Sequence, residues 1–245
     1  MVLFLITGEL GSGKTLTLTY LAFKNWLLRK QVIFSNYHLY GFPYIEIDSV
    51  RKLDIAYNGF VAGDEFWQNL DARTSTKTKN RVTASILLRS RKRGLNYTFT
   101  AQLLDLLDKR VRKILDYTAY PMLNNPETIC KVVVFRGGYP KVSSYLKTFY
   151  FRTAYIFEFF DTNEEVIEME DDYESKEPLD VKIVYYPDKY SEPQVKVVRL
   201  DYFSAIEYIK KKRELPPEIL KAWNEFDKIA EKPYLQMIKR GIMLW

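Results

Sequence analysis

An apolar run over residues 2–7 gives way abruptly to glycines at positions 8, 11 and 13. Beyond them Leu16, Tyr20, Phe23 and Leu27 recur at the spacing of one helical face, predicting a helix from Lys14 to about Arg29 that lies on a sheet. Residues 32–35 and 44–47 are short apolar runs that predict strands, and residues 49–57 predict a short helix. Residues 60–63 predict a buried strand that delivers Asp64-Glu65 at its carboxyl end. Residues 73–80 contain no apolar anchor and predict a mobile loop. Residues 81–93 predict a helix with Val82, Ile86, Leu87 and Ser90 inward, closed by Gly94. A strand over 97–101 ending at Gln102, a helix over 103–115 and an extended piece over 117–120 follow.

The pattern changes after Pro121. Residues 129–135 and 142–151 flank a Gly137-Gly138-Tyr139-Pro140 turn and predict a β-hairpin. Strands near 181–186 and 195–200 precede three helical stretches, 202–213, 218–230 and 234–240. The alternation of strands and helices predicts an α/β fold of three layers around a mainly parallel sheet. Two units are expected: residues 1–172, and a C-terminal α+β extension over 173–245.

Composition narrows the chemistry. One cysteine, Cys130, excludes an internal disulfide framework and a cysteine-based zinc site. The single histidine, His38, excludes histidine clusters and is expected to be structural or superficial. Lys24, Arg29 and Lys30 interrupt the only long apolar helix, so no membrane span is expected. No signal peptide is expected, and these features point to a reducing, cytoplasmic setting. Abundant Lys, Glu, Ile and Tyr with few Gln and Cys resembles proteins of hot environments.

The net charge of +6 is unevenly spread. Residues 72–113 hold twelve Lys/Arg against two acids, and residues 158–180 hold eleven acids against one Lys. Each block predicts a one-sign surface or a flexible tail. The basic block suits a polyanion such as DNA, although a solvated helix with an Arg-rich loop has the same composition.

Residues 8–15 read G-x-x-x-x-G-K-T, directly after a strand and directly before a helix. That is a phosphate-binding loop in the setting its chemistry requires. Gly8, Gly11, Ser12 and Gly13 would turn the backbone so that N–H groups face an anion. The helix dipole points its positive end at the same place. Lys14 would meet the β/γ-phosphates of ATP, and the Thr15 hydroxyl would be a Mg²⁺ ligand. Asp64 would hold Mg²⁺ and Glu65 would polarise the attacking water. Glu9 and Ser12 are expected to contribute backbone while their side chains face solvent. Phe66 and Trp67 are expected in the core or at an interface.

The segment Arg91-Lys92-Arg93-Gly94, the strand Tyr97-Thr98-Phe99-Thr100, and Ala101-Gln102 resemble the R-x-x-G, apolar strand, T-Q pattern of the FtsK/HerA class of P-loop motor ATPases. Ala101 stands where Thr is common. With the short N-terminal P-loop strand and the D-E pair, the pattern is most similar to the Zot-like and viral genome-packaging branch, including ATPases of spindle-shaped archaeal viruses. The resemblance covers residues 1–120, and Phe160-Asp161-Thr162 resembles a Y-D-T element of Zot-like proteins. It implies a RecA-like P-loop fold and a ring oligomer, a hexamer by expectation, acting on DNA, double-stranded by expectation. Capsid or other viral proteins are further expected partners. It also implies that Gln102 senses the γ-phosphate and that an Arg reaches a neighbouring subunit's site. Arg91 matches the class position, with Arg89 and Arg93 as rivals. Zot-like proteins of filamentous phages carry a membrane span that this sequence lacks, which shifts the expectation to a DNA translocase or packaging motor. An ATP-dependent assembly or replication switch is the alternative. A small-molecule kinase is disfavoured by the Asp64-Glu65 and Gln102 strand ends.

Overall fold

In the computed structural model of the chain, which describes residues 2–66, 85–88, 90–124, 127–139 and 141–239, every run read as a strand joins one sheet. In chain order the strands are β1 (Leu3–Thr7), β2 (Val32–Ser35), β3 (Tyr44–Glu46), β4 (Gly59–Gly63) and β5 (Asn96–Ala101). They continue as β6 (Tyr117–Leu123), β7 (Ile129–Arg136), β8 (Tyr145–Arg152), β9 (Leu179–Tyr185) and β10 (Gln194–Leu200). Their order across the sheet is β10-β9-β3-β2-β4-β5-β1-β6-β7-β8. The central block from β3 to β6 is parallel. The wings, β9-β10 on one side and β7-β8 on the other, are antiparallel.

The patterning explains this division. Parallel strands are covered on both faces, and β2 and β4 are buried at every position. The wing strand β10 is exposed or half-exposed along its whole length, and β7 alternates between buried and exposed positions. β5 lies between β1 and β4, with Thr7 opposite Ala101 and Gly63 opposite Phe99. Three carboxyl strand ends therefore meet along one edge of the sheet, where ligands of open parallel sheets bind.

Helix α1 (Lys14–Arg29) packs its apolar stripe on the sheet, burying Leu16, Leu18, Phe23, Trp26 and Leu27. Each such side chain contributes roughly 1.5–3 kcal/mol of transfer free energy. Helices α2 (Val50–Ile55) and α3 (Lys109–Ile114) are short. α4 (Tyr202–Lys212) and α5 (Pro217–Lys239) close the chain.

Three helical expectations change. Of the stretch expected to be helical over 81–93, residues 85–88 are helical and Ser90–Arg93 form a 3₁₀ turn, while 81–84 and 89 lie outside the described residues. The cause of the turn is Arg93, whose guanidinium pairs with Asp54 Oδ1 at 2.7 Å while its carbonyl accepts the Asn58 N–H at 2.8 Å. Gly94, at φ +68°, ends the turn as expected, and Ile86 and Leu87 are buried. The helix expected over 103–115 divides into a 3₁₀ turn, Leu104–Leu106, and α3, because the Asp108 carboxylate caps the new helix by accepting the Arg110 N–H. The last two helices are one. α5 runs through Pro233, although an interior proline costs about 3 kcal/mol. Tertiary docking holds it: the Tyr234 ring packs 5.1 Å from Phe23 and 5.6 Å from Trp26, and Trp26 Nε1 donates to Asp227 at 2.7 Å.

The acidic block is neither a tail nor a bare surface. Residues 153–170 form a strap that leaves β8, crosses α1 and reaches the β2–β3 side of the sheet. Phe159 packs 4.4 Å from Phe23, and its carbonyl accepts the Tyr40 N–H. Glu164 pairs with His38 and accepts from the Tyr40 hydroxyl at 3.1 Å. The Ile167 N–H donates to the Asn36 carbonyl at 2.8 Å, and just beyond the strap Asp172 binds Arg51 at 2.8 Å. Arg51, from a distant segment, thus neutralises part of the block, and His38 gives Glu164 a polar partner.

Candidate phosphate and metal site

The loop between β1 and α1 follows its glycines, with φ of +152° at Gly8, +74° at Gly11 and +93° at Gly13. Gly13 shows why the residue type is required. Its backbone, at φ +93°, begins α1 in a conformation that strains any residue with a Cβ. α1 has no side-chain N-cap and no acid in its first turn. By contrast α2, α3 and α4 begin on side-chain caps from Ser49, Asp108 and Asp201. The orphan N–H groups of α1 therefore face the loop's concavity, where an anion would satisfy them.

Ser12 corrects an expectation. Its hydroxyl does not face solvent: Oγ is buried and has no hydrogen-bond partner among the described residues. A buried hydroxyl without a partner calls for one, and a ligand oxygen would supply it. Glu9 is exposed, as expected. Lys14 Nζ donates to the loop's own carbonyls, Gly8 at 3.0 Å and Glu9 at 2.9 Å. Burial lowers the Lys14 pKa, and the nearby Asp64 and Glu65 carboxylates oppose that shift.

The acidic pair stands opposite. Thr15 Oγ1 donates to Asp64 Oδ2 at 2.9 Å, and Thr100 Oγ1 donates to Asp64 Oδ1 at 2.6 Å. Asn36 clamps the Asp64 backbone from both sides: its Nδ2 donates to the carbonyl at 2.9 Å, and its Oδ1 accepts the N–H at 2.7 Å. Burial raises the Asp64 pKa, while the hydrogen bonds from Thr100 and Thr15 hold it back. Glu65 has φ +43°, a left-handed conformation that costs a non-glycine residue about 1–2 kcal/mol. Its N–H donates to Thr100 Oγ1 at 2.8 Å, which helps to fix that turn. Phe66 lies in the core against Tyr97 and Phe99, as expected.

These groups fit a magnesium nucleoside triphosphate. The uncapped helix, the buried Ser12 hydroxyl and Lys14 would hold the phosphates. Thr15 and Asp64 present adjacent oxygens to a cation. Mg²⁺ is bound through one or two protein oxygens together with phosphate and water, and Thr15 and Asp64 could supply the former.

Gln102 lies at the end of β5, where its carbonyl accepts the Thr7 hydroxyl at 3.1 Å. It lines a separate recess of about 700 Å³ with Thr7, Gly8, Glu9 and Tyr120. Arg91 is in the 3₁₀ turn before β5, but its side chain lies outside the described residues. So do Arg89, Trp67 and the basic run containing Lys77, Lys79 and Arg81. Arg93, the rival to Arg91, is committed to Asp54 inside the subunit. Asn36 and Thr100 were missed by sequence reasoning. Asn36 follows Ser35 just after β2, and Thr100 is one of three polar residues of β5, so nothing in the sequence sets either apart from its polar neighbours.

Replacing Thr100 with Val removes the partner of both Asp64 and the Glu65 N–H in a buried setting. A loss of about 1–3 kcal/mol is expected from urea unfolding, with most of it restored in Thr100→Ser. Equal unfolding midpoints for wild type and Thr100→Val would show that these bonds hold nothing in place.

No known protein-family model matches the sequence, and no curated protein sequence matches it. Among solved structures, the N-terminal domain of zonular occludens toxin from Neisseria meningitidis superposes with a TM-score of 0.51 at 17% identity, covering 66% of this chain and 100% of that one. A match to the genome packaging NTPase B204 from Sulfolobus turreted icosahedral virus 2, in complex with AMP, is looser. Its TM-score is 0.45 at 12% identity, over 60% of this chain and 96% of that one. The fold is that of the P-loop NTPases, in the arrangement that sets one strand between the phosphate-loop strand and the acidic strand. It is shared with the toxin domain, and it is the fold that the resemblance to the Zot-like branch implied.

Proposed function

We propose that the chain is a Mg²⁺-dependent ATPase that couples turnover to movement along DNA, as in genome packaging, and that it works as a ring. The observation that carries this reading is the 2.9 Å bond between Thr15 of the phosphate loop and Asp64 at the end of β4, with Glu65 next in sequence. In this reading Lys14 and the loop N–H groups hold the phosphates. Thr15 and Asp64 hold the cation, which supplies charge neutralisation at the leaving phosphates, and Glu65 accepts a proton from water. Gln102 senses the γ-phosphate, and Arg91 completes the site of a neighbouring subunit. Support for DNA comes from the basic block, of which Lys92, Lys109 and Lys113 are exposed, and from the class resemblance. No helix among the described residues is long and apolar enough to cross a membrane.

The test is phosphate release with and without duplex DNA, on protein sized by light scattering. Stimulation is expected. The DNA concentration for half-stimulation should rise by about tenfold or more between ~50 and ~200 mM salt, as counterion release at even two phosphates requires. ATP binding and turnover indifferent to DNA would overturn the translocase reading in favour of an assembly switch.

A further inference from the structure

The phosphate site opens into a cleft of about 300 Å³ whose lining is of two kinds. Lys14, Thr15, Asp64 and Glu65 belong to the phosphate and cation site. The strap adds Phe157, Phe160, Asp161, Thr162 and Glu164, and Leu16, Leu123 and Glu127 complete the lining. A polyanion alone has no use for the aromatic residues of that second set. Phe157 and Phe160 stack on each other at 6.1 Å and 24°, and Phe157 is half-buried, leaving part of its ring to the cleft. Asp161 and Thr162 are exposed. The Asp161 carboxylate accepts only the Asn163 N–H among the bonds described, at 2.9 Å through Oδ1.

From this we infer that the strap is the nucleoside-recognition wall of the site. Phe157 supplies an apolar face for the base, and Asp161 accepts hydrogen bonds from ribose hydroxyls, which are donors that a carboxylate matches. The assignment rests on the proposed binding of ATP at the phosphate loop and adds the residues that distinguish a nucleotide from a bare polyphosphate. The wall is built in advance. Phe159 is anchored on Phe23, Glu164 is held by His38 and Tyr40, and Ile167 is tied to Asn36, the residue that clamps Asp64. Strap and metal-binding carboxylate thus share one support and keep a fixed relation.

Calorimetric titration of the full chain with ATP, 3′-deoxy-ATP and inorganic tripolyphosphate, each with Mg²⁺, tests the assignment. Phe157→Ala should weaken ATP by about tenfold, the scale of one aromatic–base contact, and leave tripolyphosphate unchanged. Asp161→Ala removes the accepting oxygens and should erase the preference for ATP over 3′-deoxy-ATP; the position is exposed, so the variant should fold. Wild-type discrimination retained in both variants would overturn the strap assignment while leaving ATP binding intact. Lys14→Ala should weaken ATP and tripolyphosphate alike. If it changes neither, the phosphate-loop reading itself fails, an outcome distinct from failure of the strap.

Discussion

Lys14→Ala is expected to remove ATP turnover by a factor of about 10²–10³ or more, the scale at which one preorganised charge-stabilising donor acts. Lys14 is the loop's single cation. Among the described residues its hydrogen bonds go to the carbonyls of Gly8 and Glu9, in the loop and not in the core. Leu16, Leu18, Phe23 and Trp26 hold α1 on the sheet without it. Unfolding free energy should therefore stay within about 0.5 kcal/mol of wild type, as for substitutions outside the core. Burial lowers the Lys14 pKa, and the nearby Asp64 and Glu65 carboxylates oppose that shift. A bound triphosphate would oppose it further. Phosphate release measured beside thermal unfolding separates the two effects. A folded variant that turns over ATP near the wild-type rate would leave the phosphate loop without a function.

The glycine spacing, the lysine and the threonine are contiguous, so their chemistry was legible at once. Asp64-Glu65 was legible because an apolar strand delivers the pair. The parallel core could be read from the alternation of strands and helices. What stayed hidden depends on contacts between distant residues. Nothing in the apolar runs of β9 and β10 says that they extend the sheet beyond β3, since a period of two fixes a face and not a partner. The acidic block looked like one surface of one sign because Arg51 and His38, its partners, lie more than a hundred residues away in sequence. Residues 218–230 and 234–240 read as two helices because the docking of Tyr234 onto Phe23 and Trp26 leaves no local trace. Ser12 was placed in solvent on loop polarity alone, whereas the packed turn buries its hydroxyl.

The two carboxylates should separate by role. Asp64 is fully engaged: Thr15 and Thr100 each donate to one of its oxygens, and Asn36 fixes its backbone. Glu65 is the next residue, turned away from the strand by its left-handed backbone. In Glu65→Gln the amide keeps the side-chain shape and cannot accept a proton. ATP and Mg²⁺ binding should persist while turnover falls by about 10²–10⁴, the usual contribution of a positioned base. Asp64→Asn removes a charge where the cation is to be held and places an NH₂ against a hydroxyl that now donates. The Mg²⁺ concentration for half-maximal ATP binding should rise, and turnover should fall with it. A magnesium titration of ATP binding, run on both variants beside single-turnover hydrolysis, distinguishes the roles. If Glu65→Gln shifts the magnesium curve and Asp64→Asn leaves it in place, Glu65 is the cation ligand and the strained turn at φ +43° serves to bring it to the metal.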